Sequence, residues 1–214
     1  MCNIMRLYLL AMESEAKDII NSYKLVQDKP FQLYKNDYNL LAITGIGKVN
    51  SAFVLTYVTQ HFDITEVVNL GFVGAFGNYQ IGDNIFVEEA VYHDFNLTVF
   101  GYKHGEVPNI KEDLKPDFNY YNKLKNYFRG SKLYTGDSFQ ESKIDDNFIV
   151  DMEATALFHV CFLLGLKIVS IKTVSDVIGL NSNLEEYKNF EEVGSKNIFE
   201  LYNKIEELLK WLRV

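Results

Sequence analysis

Short apolar runs alternate with stretches of helical periodicity along the whole chain, and that alternation constrains its fold more than any other feature. Met5–Ala11, Tyr38–Thr44, Glu66–Leu70, Asn84–Ala90, Lys132–Tyr134 and Lys167–Thr173 read as strands, with Glu66–Leu70 ending at the glycines Gly71 and Gly74. A helix is expected to start near Glu13, and others to cover Val49–His61, Tyr120–Phe128 and Ala154–Leu164. The C-terminal segment sets Ile198, Leu201, Tyr202, Ile205, Leu208, Leu209 and Leu212 on one face at helical spacing. Strands and helices in this order predict an α/β fold with a largely parallel sheet covered on both faces. The polar stretch Pro108–Asn119 reads as an exposed loop. With no repeat, linker or low-complexity segment, the 214 residues, 48% of them hydrophobic, suit one domain over residues 1–214.

A net charge of -8 argues against a nucleic-acid or anionic-membrane partner, although it leaves room for a small anion held locally. Cys2 and Cys161 lie far apart and read as free thiols of a reducing cytoplasm. The run Leu7–Met12 is too short for a signal sequence and meets Glu13 and Glu15. No apolar stretch approaches the ~20 residues that a membrane helix needs. A soluble, cytoplasmic protein is expected.

The chemistry concentrates in Asp151-Met152-Glu153-Ala154-Thr155-Ala156 and, some way on, Ser175-Asp176. The segment between them reads as helix and then strand. Glu153 therefore stands at the helix entrance and Asp176 just past the strand's carboxyl end, the edge where α/β proteins bind ligands. One acid there can accept hydrogen bonds from a sugar diol while the other gives a proton to a leaving group. Taken singly, each acid also fits a plainer role: Asp176 capping a turn, Glu153 favouring the helix dipole.

Other motifs fail on inspection. Gly45-Ile46-Gly47-Lys48 is no P-loop, because Ala42 stands where the first glycine belongs and Val49 follows the lysine. Asn50 in place of a third glycine excludes a dinucleotide fingerprint, which leaves a strand-to-helix turn. His159-Val160-Cys161 lacks a second pair of metal ligands, so these are core residues. His93-Asp94 and His104 have no nucleophile context. Phe100 and Tyr102, flanking Gly101, could form a hydrophobic binding wall.

Six segments resemble, in order, the motifs of one family. Ala11-Met12-Glu13-Ser14-Glu15 resembles A-M-E-x-E, and Gly45 to Ala52 resembles G-I-G-K-V-N-A-A. Tyr92-His93-Asp94, Phe100-Gly101-Tyr102 and Gly105 to Pro108 resemble Y-H-D and F-G-Y-x-x-G-Q-x-P. Thr135 to Phe139 resembles S-G-D-x-F, Met152 to Ala156 resembles M-E-A-T-A, and Ser175-Asp176-Val177 resembles S-D-V. The family is the methylthioadenosine/S-adenosylhomocysteine nucleosidases of the purine nucleoside phosphorylase superfamily. The resemblance implies a three-layer fold with a twisted mixed sheet flanked by helices, a homodimer, and no cofactor or metal. It implies hydrolysis of an N-ribosidic bond, with Glu15 activating water and Asp176, beside Ser175, protonating purine N7. Glu153 would hold the ribose hydroxyls and Met152 would lie under the ribose. Phe139 would stack on the base and the Gln140 backbone would read its edge. Ile46, Leu97, Phe100, Tyr102 and Pro108 would line an alkylthio pocket completed by the partner subunit.

This chain also departs from the family pattern. Gly71-Phe72-Val73-Gly74-Ala75 replaces G-S-A-G-G, so Phe72 brings a phenyl ring to the substrate pocket where a hydroxyl is usual. Lys172 replaces an arginine near the water, and it lacks the planar fork. Asp151 replaces a glutamate, Gln140 an apolar residue, and the segment from Phe139 to Asp151 is short. A nucleosidase acting on adenine nucleosides is expected. A phosphorylase of the same fold, a hydrolase of a related riboside such as a futalosine-like one, and a nucleoside-binding protein without turnover are the alternatives.

Overall fold

The computed structural model describes residues 5–110, 113–179, 183–191 and 193–210, so Cys2, Leu212 and Arg213 lie outside the described residues. Strand β1 (Met5–Leu10) alternates with period two. Leu7 and Leu9 join one apolar layer, while Tyr8 and Leu10 join the other. It lies parallel to both β4 (Asn39–Ile43) and β5 (Ile64–Phe76). The first layer is covered by α2 (Lys48–His61) and α4 (Ala154–Leu164) through Val54, Leu55, Leu157 and Phe158. The second is covered mainly by α6 (Gly194–Leu209) through Ile198, Leu201, Ile205 and Leu209, the face expected from their spacing. The architecture is the expected three-layer α/β arrangement.

The sheet is mixed rather than largely parallel. Strands β2 (Lys24–Gln27) and β3 (Gln32–Lys35) form an antiparallel hairpin beside β4. At the other end β5, β8 (Phe148–Asp151), β7 (Arg129–Thr135), β6 (Asn84–Tyr92) and β9 (Lys167–Val177) pair in turn, and β9 returns to pair with β5. These five strands close into a barrel, with the β5–β8 and β6–β9 contacts antiparallel.

Several boundaries differ from the sequence expectation, each for a local reason. β5 does not end at Gly71 but runs through both glycines. A Cβ at Gly71 would lie 2.7 Å from Glu15 Oε1 and one at Gly74 would lie 3.1 Å from Asp176 Oδ2, so the glycines make room for acids. β9 likewise continues past Thr173, which puts Asp176 inside the strand rather than beyond it. Arg129 opens β7 instead of closing a helix, because α3 (Phe118–Leu124) starts early, capped by the Asp117 carboxylate on the Asn119 amide at 3.0 Å. In the stretch read as an exposed loop, Leu114 is buried and its carbonyl accepts from the Ala90 amide at 2.9 Å.

Arg6 lies within β1 and is fully buried. Its Nε and Nη2 donate to Glu66 Oε2 at 3.0 and 2.8 Å, and its Nη1 donates to Glu206 Oε1 at 2.9 Å. This network ties β1, β5 and α6 together at the end of β1 away from Glu15. The two neighbouring carboxylates satisfy a charge that would otherwise be costly to bury.

Candidate active site

Glu15 belongs to a short helix, α1 (Glu13–Ala16), entered directly from the end of β1. Its Oε2 accepts from the amides of Ala11 and Met12 at 2.9 and 3.0 Å, and its Oε1 accepts from the amide of Phe72 at 2.8 Å. Burial pushes its carboxyl above the usual carboxylate range, while the Lys172 charge and the three amides pull the other way. The result is a fixed carboxylate with raised basicity.

Glu153 occupies the N-cap position of α4, and its Oε1 accepts from the Gly47 amide at 2.8 Å. Burial, and then the charge of Asp151, raise its pKa against the opposing pull of Lys172. Asp151, not Glu153, caps the helix: its Oδ2 accepts from the Ala154 amide at 3.0 Å and its Oδ1 accepts from Thr135 Oγ1 at 2.6 Å. Lys172 Nζ stands 2.9 Å from Asp151 Oδ2, with both side chains buried. Burial disfavours the ammonium, but Asp151, Glu153 and Glu15 together hold its pKa above the ordinary lysine value. When Glu15 and Glu153 are both ionised, one cation among three acids leaves a negative excess, suited to a positive charge that develops in the cavity.

Asp176 is presented by a β-bulge. Val73 pairs with Val174 and Gly74 with Asp176, so Ser175 is the extra residue. Val174 and Val177 both join the first apolar layer, while Ser175 and Asp176 between them reach the cavity wall. Ser175 Oγ lies 2.7 Å from Asp176 Oδ1 and 3.1 Å from the Val73 carbonyl. A hydroxyl has one proton and two lone pairs. It can donate to an ionised Asp176, or accept from a protonated one while donating to Val73. Either protonation state of the acid is satisfied.

One cavity gathers Glu15, Ile46, Phe72, Phe139, Gln140, Met152, Glu153, Ser175 and Asp176. Lys172 stands behind this wall, joined to it through Asp151. Leu97, Phe100, Tyr102 and Pro108 are not on the wall within one protomer, and Phe100 is 74% exposed. Phe72 packs edge-on against Phe190 with ring centroids 5.2 Å apart. Gly194 accommodates it, since a Cβ there would approach the Phe72 ring to 2.6 Å. The Gln140 side chain turns away to donate to the Ser142 carbonyl at 2.8 Å. Sequence reasoning missed Tyr187, Met12 and Val150 on the same wall. Tyr187, on α5 (Asn183–Glu191), meets Phe139 edge-on at 5.9 Å, and its hydroxyl reaches Met12 Sδ at 3.4 Å. The signal was available: Leu184, Tyr187 and Phe190 recur at helical spacing.

The sequence profile of the phosphorylase superfamily matches residues 6–210. A 5′-methylthioadenosine/S-adenosylhomocysteine nucleosidase of Geobacillus kaustophilus is 31% identical over 192 residues, covering 81% of this chain and 81% of that protein. The chain belongs to this nucleosidase family, within the phosphorylase superfamily. A Borrelia burgdorferi member solved with adenine superposes with a TM-score of 0.85 at 26% identity, covering 97% of this chain and 100% of that one. The fold is shared with the Neisseria meningitidis nucleosidase in complex with methylthio-immucillin-A, at a TM-score of 0.86 and 24% identity over 96% and 98% of the two chains. Phe72 and Lys172, which depart from the motif pattern that the sequence resembles, are both buried next to Glu15.

Proposed function

We propose that this single-domain chain hydrolyses the N-ribosidic bond of adenine nucleosides such as 5′-methylthioadenosine and S-adenosylhomocysteine. The observation that carries the reading is the placing of Glu15, Glu153 and Asp176 on one cavity, each in a different hydrogen-bonded setting. Water held by Glu15 attacks C1′ and gives its proton to that carboxylate. The C1′–N9 bond breaks, its electron pair enters the purine, and Asp176 delivers a proton to N7. Adenine and a thio-ribose leave. Glu153 accepts hydrogen bonds from the 2′- and 3′-hydroxyls, and the acidic surroundings stabilise the ribosyl cation. Met152 lies beneath the sugar, while Phe139 and Gln140 form the base side.

Hydrolysis is favoured over phosphorolysis because, among the described residues, no arginine is free to clamp a phosphate. Arg6 is spent on Glu66 and Glu206, and Arg129 bonds the Asn78 carbonyl over the Tyr79 ring. Lys172 alone, already paired with Asp151, makes a poor dianion site. Phe72 supports a second reading, a hydrolase of a related purine riboside, because its ring takes space on the cavity wall.

The working form is a homodimer in which the partner's Leu97–Tyr102 and Pro108 segments complete the 5′ side of the cavity. Val99 and Phe100 are 84% and 74% exposed, and Ile46, Val49 and Phe53 also face outward. No described helix is long and apolar enough to cross a membrane, and the buried free thiol of Cys161 suits a cytoplasmic setting. Turnover of a nucleoside panel, with and without phosphate, tests the whole reading. Adenine and free sugar at a phosphate-independent rate are expected; a sugar 1-phosphate would overturn hydrolysis, and no turnover of any adenine nucleoside would overturn the activity.

A further inference from the structure

The charged residues of the Gly-Ile-Gly-Lys, Tyr-His-Asp and Gly-Asp motifs have no part in the chemistry above. None of Lys48, Asp94 or Asp137 lies on the cavity wall. The structure nevertheless brings all three together at its mouth. Lys48 Nζ pairs with Asp94 and stands 3.5 Å from Asp137 Oδ2. The Asp137 amide donates to Asp94 Oδ2 at 2.9 Å, and the Lys48 ammonium sits 5.5 Å from the Tyr92 ring centroid. The backbones are tied as well: the His93 amide donates to the Thr135 carbonyl at 3.0 Å. Gly136 is required there, since a Cβ would lie 2.3 Å from the His93 ring.

Two consecutive amides give this cluster its functional reach. Gly47 N donates to Glu153 Oε1 at 2.8 Å, and Lys48 N donates to Asp137 Oδ1 at 2.9 Å. The same turn therefore grips the acid at the head of α4 and the loop that continues directly into Ser138 and Phe139. A shift of Lys48 moves the Gly47 amide off Glu153 and slackens the Phe139 loop together.

We propose that Lys48, with Asp94 and Asp137, is a positioning clamp that sets Glu153 and the Phe139 loop in register for the ribose and the base. The inference rests on the reading of Glu153 as the ribose-binding acid. The clamp acts by geometry, not by contact with substrate. Its side chains are partly exposed (23%, 29% and 48%), so salt weakens it.

The test is the ratio of kcat/KM for a riboside to that for its 2′-deoxy analogue, measured for wild type, Lys48→Met, Lys48→Arg, Asp94→Asn and Glu153→Gln. Lys48→Met and Asp94→Asn each lower the ratio roughly 3- to 10-fold, the factor that one well-placed hydrogen bond supplies. Lys48→Arg restores most of it. The KM of wild type for 5′-methylthioadenosine, which carries no net charge, rises toward about 1 M salt, where screening reaches within ~3 Å. Lys48→Met loses that dependence. A ratio unchanged in Lys48→Met but lowered in Glu153→Gln overturns the clamp alone. A ratio unchanged in Glu153→Gln overturns the ribose assignment and the clamp with it.

Discussion

Lys172 and Asp151 form a buried ion pair at 2.9 Å that joins β9 to the end of β8 and ties Lys172 to the cavity wall shared by Glu15, Asp151 and Glu153. Removing the cation leaves Asp151 buried and unpaired, and Lys172→Met is expected to cost about 3–5 kcal/mol of stability. It has a second effect. The Lys172 charge holds the raised pKa values of Glu15 and Glu153 down, so its loss pushes them higher. Glu15 must be ionised to take a proton from water, and the acid limb of the kcat/KM profile therefore moves to higher pH. A pH–rate profile with an unmoved acid limb would separate Lys172 from the water-activating site.

Asp176→Asn keeps the size and polarity of the side chain at the bulge and removes the proton donor. Turnover of 5′-methylthioadenosine should fall by ~10²–10⁴-fold while adenine still binds. Single-turnover kinetics together with calorimetry of adenine binding make the comparison. Near-normal turnover in this variant would end the general-acid role.

Stability should fall as pH rises. Burial lifts the Glu153 pKa above its ordinary 4.5 in the folded chain, so the folded state holds a proton that the unfolded chain releases. The stability from that proton is complete below about 4.5 and is lost as pH climbs through the raised value. Glu15 has a shift of the same sign. Thermal melts of Glu153→Gln should show a shallower decline with pH than wild type, because a neutral amide carries no such linkage. Identical slopes would mean that Glu153 is ionised in the folded protein throughout.

Val99→Asp places a charge in the exposed apolar turn and should yield a monomer with impaired turnover of thioether-bearing nucleosides. Light scattering at micromolar concentration reads the mass. A fully active monomer, from wild type or variant, would refute a cavity completed by the partner.

Tyr187 touches the site in two separable ways. Among the described residues its hydroxyl bonds a thioether at 3.4 Å, whereas its ring supports Phe139 at 5.9 Å. Tyr187→Phe should therefore change KM by less than about 3-fold, and Tyr187→Ala should raise it up to ~10-fold, as the loss of an aromatic pair predicts. Equal effects from the two substitutions would give the hydroxyl a direct part in binding.

The layers and most elements could be read from the sequence because a strand buried on both faces leaves a short apolar run, as in β1 and the first half of β9, while the helices keep their own period. That signal failed where function intrudes. Gly71, Gly74, Ser175 and Asp176 look like loop residues, yet they lie in β5 and β9, because those strands accommodate and present acids instead of packing apolar side chains. β8 was hidden for a similar reason: it is only four residues long, follows a polar loop and ends on Asp151. The family resemblance named nine residues that line the cavity, namely Glu15, Ile46, Phe72, Phe139, Gln140, Met152, Glu153, Ser175 and Asp176. It could not show that Lys172 sits behind the wall and pairs with Asp151, since that depends on barrel closure across distant strands.

Barrel closure also divides what can change from what cannot. Asp151, Lys172 and Asp176 lie on strands with ladder partners on both sides. A one-residue slip in β9 would have to be absorbed by β5 and β6 at once, and it would turn every side chain of the strand to the opposite face. Ile46, Phe139 and Gln140 sit on connections, which tolerate substitution and length change. Descendants of this chain can therefore drift in what they accept at the mouth while inheriting the same charge arrangement at the floor.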